Sequence, residues 1–456
     1  MTLAASAEEA STGSTSSLLY RAIWRWHFYA GLLSLPFLIM MATTGGIYLF
    51  KDELNRIMYG SYIYVEPASQ AMLAADDLIV KANAALPGAV KSYVPPSAPD
   101  RAAQVRIKTE AGDKMMVYVN PYDGKVIGQL PDGKFANSPF MFLMRKIHNL
   151  EYFGWFTNRL IEVVGGWAMI LVVTGIYLWW PRQQAGGVVS IRGTAKRRVF
   201  WRDLHAVTGA FAGVLIFFLA FTGMPWSGFW GEKLNKYADQ AGLGYPPQYW
   251  NDVPKSTVPM KEAMSQINWS LENTPMPVSM QTGAPPIGLA KAIEIFDKLG
   301  IAKGYVVDLP SEPEGVYTAS VYPDKIAEER IIHLDQYSGK PLFNGGWAEL
   351  GPVGKSIEWA VSVHMGQEFG RINQLVMLAA CLAIILMSVA AFVMWWKRRP
   401  QGSLGAPRYP SDYRIPRGVL FIALVFGVVF PLVGLSILIM LAIDLLLPRS
   451  LKERLA

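Results

Sequence analysis

Trp24-Arg-Trp-His27-Phe-Tyr-Ala-Gly31 opens an apolar run that reaches Thr44-Gly45, and the reading of this stretch decides the fold. The layout returns at His205, Gly209 and Thr222-Gly223. Positions 27 and 205, 31 and 209, 44 and 222, and 45 and 223 each differ by 178. A second offset, 216, relates His148-Asn-Leu-Glu-Tyr-Phe-Gly154 to His364-Met-Gly-Gln-Glu-Phe-Gly370, and Trp179-Trp180 to Trp395-Trp396. Fixed offsets between matching motifs mark an internal repeat. The repeated unit is span, large loop, span, with a histidine near the start of each span. Four of the five histidines fill these places, and only His333 does not.

The composition agrees with spans joined by substantial soluble parts. Of 456 residues, 52% are hydrophobic and only 17% are charged. The one cysteine, Cys381, lies inside an apolar run, which excludes an intrachain disulfide framework and a cysteine metal cluster. The net charge of +7 does not point to nucleic acid, because many basic residues cluster beside apolar spans, as membrane topology requires.

In chain order, residues 1–19 are rich in Ser, Thr and Ala and read as a disordered cytoplasmic tail. Residues 20–50 hold the first span, Phe28 to Phe50, preceded by Arg21 and Arg25, so the N-terminus is expected in the cytoplasm. Residues 51–145 form an α+β module, with a helix over Ala74–Ala85 ended by Pro87-Gly88 and alternating strands after it. Residues 146–181 hold a histidine segment and the second span. The loop 182–204 carries Arg192, Lys196, Arg197, Arg198 and Arg202 and is expected on the cytoplasmic side. The third span is 205–226, and residues 227–365 form the second large loop. Its part 287–343 echoes the first module: Leu334-Asp-Gln-Tyr-Ser-Gly-Lys340 matches Val119-Asn-Pro-Tyr-Asp-Gly-Lys125. The fourth span is 366–397, followed by a cytoplasmic loop at 398–417. The fifth, 418–448, is read as one helix kinked at Pro431, before a tail at 449–456. A re-entrant hairpin is the alternative there, and the basic tail argues mildly for it. The expected fold is a mainly α-helical polytopic membrane protein of about five transmembrane helices, internally duplicated, with two extracytoplasmic α+β modules.

Neutral imidazole is a good ligand for haem iron. Spans one and three run outward, which puts His27 and His205 at the cytoplasmic side. Spans two and four run inward, which puts His148 and His364 at the outer side. The natural pairing is His27 with His205 and His148 with His364, one bis-histidine haem b near each face. Gly31, Gly209, Gly45, Gly223, Gly165 and Gly166 would let a flat macrocycle approach the backbone. Arg25, Arg202 and Arg371, with Arg21, Lys146 and Arg159, are candidate propionate partners. One difficulty is His148, twelve residues before Leu160. A continuous helix would carry it about 18 Å above the span, unless the chain folds back near Gly154.

Bland readings stand beside these. A lone interfacial histidine is usually an anchor or a satisfied polar group. Trp24, Trp26, Trp179 and Trp180 read as interface belts rather than cofactor stacking, and the glycines can serve helix packing alone. Glu162 reads equally as a proton-handling group or a snorkelling carboxylate, and His333 as structural. The histidines are placed too regularly for the first of these readings to account for all four. A non-redox transporter is disfavoured because the spans carry almost no central charge.

The ordered set Trp24-Arg-x-His27-x-x-x-Gly31, Leu204-His205-x-x-x-Gly209, the His148 and His364 segments, and the turns Asn120–Lys125 and Asp335–Lys340 resembles the PepSY-domain transmembrane family. The resemblance covers about residues 20–445. It implies a bacterial inner-membrane protein with periplasmic PepSY modules. Some members look like di-haem oxidoreductases that reduce ferric siderophores, with His27, His148, His205 and His364 as the axial ligands here. Others carry fused flavin reductase domains. With no Gly-rich dinucleotide loop in this chain, the donor is expected to be a separate cytoplasmic reductase or a quinol. PepSY modules also occur as peptidase-inhibitory regions, which keeps a regulatory or binding role as an alternative.

Overall fold

The computed structural model describes residues 2–133, 138–181, 186–244, 255–259, 264, 275–280, 283–401, 403–405 and 417–446. The chain divides into two compact units, one of residues 1–46, 146–233 and 375–456, the other of residues 47–145 and 234–374. In chain order the helices are α1 (Thr2–Tyr48), α2 (Lys51–Ile63), α3 (Ala75–Ala85), α4 (Pro139–His148), α5 (Trp155–Trp179), α6 (Arg198–Gly223), α7 (Trp230–Gln240), α8 (Leu289–Lys298), α9 (Pro352–His364), α10 (Gly370–Arg398), α11 (Arg417–Val429) and α12 (Pro431–Leu446). The segment expected to be a disordered tail forms the first turns of α1.

The first unit is built on apolar helices. Among the described residues, four segments are long and apolar enough to cross a membrane: Leu19–Tyr48, Trp155–Trp179, Arg198–Trp226 and Gly370–Arg398. Each exceeds the roughly 20 residues that a bilayer core demands. The expected fifth span is not one kinked helix. The break falls at Pro431, which cannot donate to the preceding turn. Beyond it the chain doubles back, because a Cβ on Gly434 would sit 2.3 Å from the Cα of Gly427. Seven residues of uninterrupted helix would separate those positions by about 10 Å. The arms hold 13 and 16 residues, about 20 and 24 Å of helix, short of a bilayer core about 30 Å thick. The stretch is a helical hairpin, closed where two glycines let the arms touch. The tail at 449–456 lies outside the described residues.

Helix α12 packs on α5. Val433 fills the space that a side chain on Gly166 would need, and Trp167 Nε1 donates to Ser436 Oγ at 3.0 Å. The shared core includes Ala30, Trp167, Ile170, Met224, Phe430 and Ile437. Glu162 is fully buried here. Its carboxylate accepts from Ser227 Oγ at 3.1 Å and from the Trp230 N–H at 2.9 Å, capping the first turn of α7.

The second unit is organised by one antiparallel sheet. Its strands are β1 (Gly88–Val94), β2 (Ala103–Thr109), β3 (Lys114–Val119) and β4 (Val126–Pro131), then, after a separate two-stranded β5 (Lys255–Pro259) and β6 (Pro275–Pro277), β7 (Val306–Asp308), β8 (Val316–Val321), β9 (Arg330–Asp335) and β10 (Pro341–Gly346). Their order is β10-β9-β8-β7-β1-β2-β3-β4. Each half is a helix followed by a four-strand meander, and the halves join where Ser92 pairs with Asp308 and Tyr93 with Val307. The two expected modules are therefore one continuous sheet. Pairing β1 with β7 satisfies two inner edges that separate modules would leave open. Leu78 and Ala82 of α3 share a core with Leu289, Ala292 and Phe296 of α8, over Tyr93, Ile107, Val307 and Ile332 of the sheet.

The echoed turns fold alike. Asn120 N donates to Lys125 O and Asp335 N to Lys340 O, at 2.9 and 3.0 Å. Gly124 and Gly339 both take positive φ, 72° and 69°, which glycine adopts without a Cβ penalty.

Candidate functional site

The first unit brings His27 of α1 and His205 of α6 together. Their ring centroids lie 6.3 Å apart with the planes at 84°. Each imidazole is held by its Nδ1. His27 Nδ1 meets Thr174 Oγ1 at 2.9 Å, and His205 Nδ1 meets the Met387 carbonyl at 3.0 Å. A carbonyl only accepts, so His205 carries its proton on Nδ1 and its lone pair on Nε2. The Thr174 hydroxyl donates to Ile170 O at 2.7 Å, which leaves it an acceptor toward His27 as well.

The separation can be tested against a shared ligand atom. A metal–imidazole bond of about 2 Å plus about 1 Å from nitrogen to ring centre, taken twice, gives roughly 6 Å. The observed 6.3 Å matches that length. Gly31 and Gly209 follow the two histidines by one turn, on the same helix face. A Cβ on Gly31 would meet only Leu171, at 3.8 Å, so the backbone there is bare. Among the described residues, no three His, Cys, Asp or Glu side chains converge on one point. A metal held by His27 and His205 would therefore draw its other ligands from a group such as a porphyrin.

His148 closes α4, and the chain then turns sharply. Leu150 has φ 60° and Gly154 φ 111°, and α5 starts at Trp155. Thr157 Oγ1 donates to Leu150 O at 3.0 Å and Asn158 Nδ2 to Asn149 O at 2.8 Å, so the first turn of α5 lies against the bend. The fold-back removes the difficulty of a histidine lifted above its span. His148 Nδ1 meets Thr44 Oγ1 at 3.1 Å, and its Cε1 lies 3.3 Å from where a Cβ on Gly45 would be. His364 closes α9 in the second unit, followed by Gly366 with φ 75° and Gly370 with φ 59°.

The candidate propionate partners differ. Arg25 is buried, with its guanidinium 5.6 Å over the Tyr29 ring. Arg202 and Arg192 both pair with Asp203: Arg202 Nε reaches Oδ1 and Arg192 Nε reaches Oδ2, each at 2.8 Å. Arg371 pairs with Glu53 and with Gln374. Lys146 lies 3.8 Å from Glu151, and Arg159 sits 4.7 Å over Trp155. Thr174 is the site residue that composition and spacing overlook. The Thr-Gly dipeptide at 44–45 marks the repeat, but nothing local says that its hydroxyl serves an imidazole.

His333 also stays apart from the other histidines. It is fully buried in β9, bonded through Nδ1 to Thr318 Oγ1 at 2.8 Å and tilted against Phe343.

A search of the curated proteins finds none that matches the chain. The sequence profile of the PepSY-associated TM region matches residues 24–398, from the tryptophan that opens the first histidine motif to the end of α10. That match spans most of the chain, and the protein belongs to the PepSY-associated TM family.

Proposed function

We propose that this protein is a di-haem b cytochrome of the bacterial inner membrane, an oxidoreductase that moves electrons from a cytoplasmic reductase or a quinol to a periplasmic acceptor. The acceptor class we favour is a ferric siderophore. Reduction of Fe(III) to Fe(II) weakens hard-oxygen chelation and lets the iron leave. The carrying observation is the His27–His205 pair, two imidazoles on different helices with a ring separation of 6.3 Å and each Nδ1 hydrogen-bonded to a residue other than its partner. His148 with His364 is the second pair that the 216 offset suggests, each ending a helix before a positive-φ turn. Bound haem iron would supply one-electron exchange between Fe(III) and Fe(II).

The residues of this chain do the rest. Thr174 and the Met387 carbonyl hold the tautomers that leave Nε2 basic. In a bilayer, the apolar helices that carry the pair would keep water away and lower the local dielectric. Within the second unit, the two halves share a core under α3 and α8, so on that side they offer no open seam between them. An acceptor would meet other surfaces.

The test is the visible spectrum of detergent-purified protein, oxidised and then dithionite-reduced, with haem quantified per chain. Two haems with a sharp reduced α-band are expected. A colourless preparation from haem-replete cells would end this reading in favour of a non-redox transporter or a PepSY-type regulatory protein.

A further inference from the structure

We propose that Thr174-Gly175 is a positioning device that sets the tautomer and aim of His27, and with them the redox potential of the haem that His27 shares with His205. The redox part rests on the haem reading above; the tautomer part does not.

The argument starts from one proton. Thr174 Oγ1 donates to Ile170 O at 2.7 Å, the carbonyl one turn back in α5. With its only hydrogen directed there, the hydroxyl offers His27 Nδ1 a lone pair, at 2.9 Å. In that arrangement His27 carries its proton on Nδ1 and keeps Nε2 unprotonated. The next residue supplies the space. A Cβ on Gly175 would lie 3.3 Å from His27 Cε1, tighter than an ordinary contact, so the ring rests directly on bare backbone.

The same device occurs a second time. Thr44 Oγ1 donates to Met40 O at 2.8 Å and meets His148 Nδ1 at 3.1 Å, while Gly45 leaves 3.3 Å to His148 Cε1. Positions 44 and 174 differ by 130, which is neither of the two repeat offsets. The arrangement is therefore not a copy carried along by the sequence repeat. It is one solution, reached at two places, to holding an imidazole against a helix. His205 uses a different acceptor, the Met387 carbonyl, so the two rings facing each other are tuned separately.

A hydrogen bond accepted from Nδ1–H makes the imidazole a stronger donor through Nε2, which favours the ferric state. Removing it should raise the midpoint potential of this haem alone and weaken haem retention there by about 10–100-fold. Thr174→Val keeps the shape and removes the acceptor; Thr174→Ser restores it. Two readouts decide the matter. In full-length chain from haem-starved cells, labelled with 15N-histidine, His27 should show a single Nδ1–H tautomer, become a mixture in Thr174→Val, and revert in Thr174→Ser. In haem-loaded protein, a redox titration should show one potential raised in Thr174→Val, the other unmoved, and both restored in Thr174→Ser. A Thr174→Val protein with the wild-type tautomer and wild-type potentials overturns the proposal. If no haem binds at all, the functional reading falls, and the tautomer measurement still decides this one.

Discussion

His27 and His333 begin from the same circumstances and end in different ones. His27 is half-buried and His333 fully buried, and both meet a threonine hydroxyl through Nδ1, at 2.9 and 2.8 Å. What differs is the other side of the ring. His27 looks across 6.3 Å to a second imidazole and rests on glycine backbone. His333 lies 5.6 Å from the phenyl ring of Phe343, and its buried Nε2 has no hydrogen-bond partner. Burial and a threonine partner thus do not make a ligand. A second imidazole at 6.3 Å, on a different helix, is what sets the His27 site apart.

The largest effect that could break this comparison is on the proposed haem. On that proposal, His27→Leu and His205→Leu should each replace the low-spin bis-imidazole bands of the haem assigned to the pair with a high-spin spectrum or lose that haem, because one imidazole cannot hold a six-coordinate low-spin iron. His333→Leu should leave haem content and both reduced bands unchanged. A drop in haem from His333→Leu, with the fold intact by circular dichroism, would put the two histidines back in one class.

A smaller effect separates two glycines in the same site. A Cβ on Gly175 would press the His27 ring at 3.3 Å, whereas a Cβ on Gly209 would meet the terminal Cε of Met387 at 3.0 Å. The end of a methionine swings aside at little cost, and a ring fixed by a hydrogen bond does not. Gly175→Ala should therefore lower retention of the proposed haem a few-fold and shift its Soret maximum, both by more than Gly209→Ala does. Haem titration of the two variants reads this directly.

How much of this is legible in the sequence depends on distance along the chain. The four long apolar helices are legible because hydropathy is a local property, and the turns at Asn120–Lys125 and Asp335–Lys340 because Asn, Asp and Gly write their own backbone. The pairing of Ser92 with Asp308 is not legible, since no local pattern records which inner strands will join two meanders. Pro431 announces a break without its angle, which Gly427 and Gly434 decide. In the site, His27 and His205 are legible through the repeat. Thr174 is not, because the residue 216 positions on is Ala390, so no echo draws attention to it.

The smallest effect concerns pH and belongs to His333 alone. Burial lowers its pKa from the usual 6.5 to about 3. The imidazole stays neutral in the folded sheet while the unfolded chain takes up a proton below about 6.5. The unfolded state then binds more protons, so stability is whole above pH 6.5 and drains away as pH falls toward 3. The slope in that window is at most about 1.4 kcal/mol per pH unit. Hydrogen exchange at the amides of Ile332 and Leu334, corrected for intrinsic rates, should show protection falling between pH 6.5 and 5 in the wild type. In His333→Leu the protection should be nearly flat over the same range, whatever its level, because the group that titrates is gone. An unchanged slope in His333→Leu would mean that another group carries the acid sensitivity of the sheet, and that the buried imidazole is as indifferent to protons as Phe343 beside it.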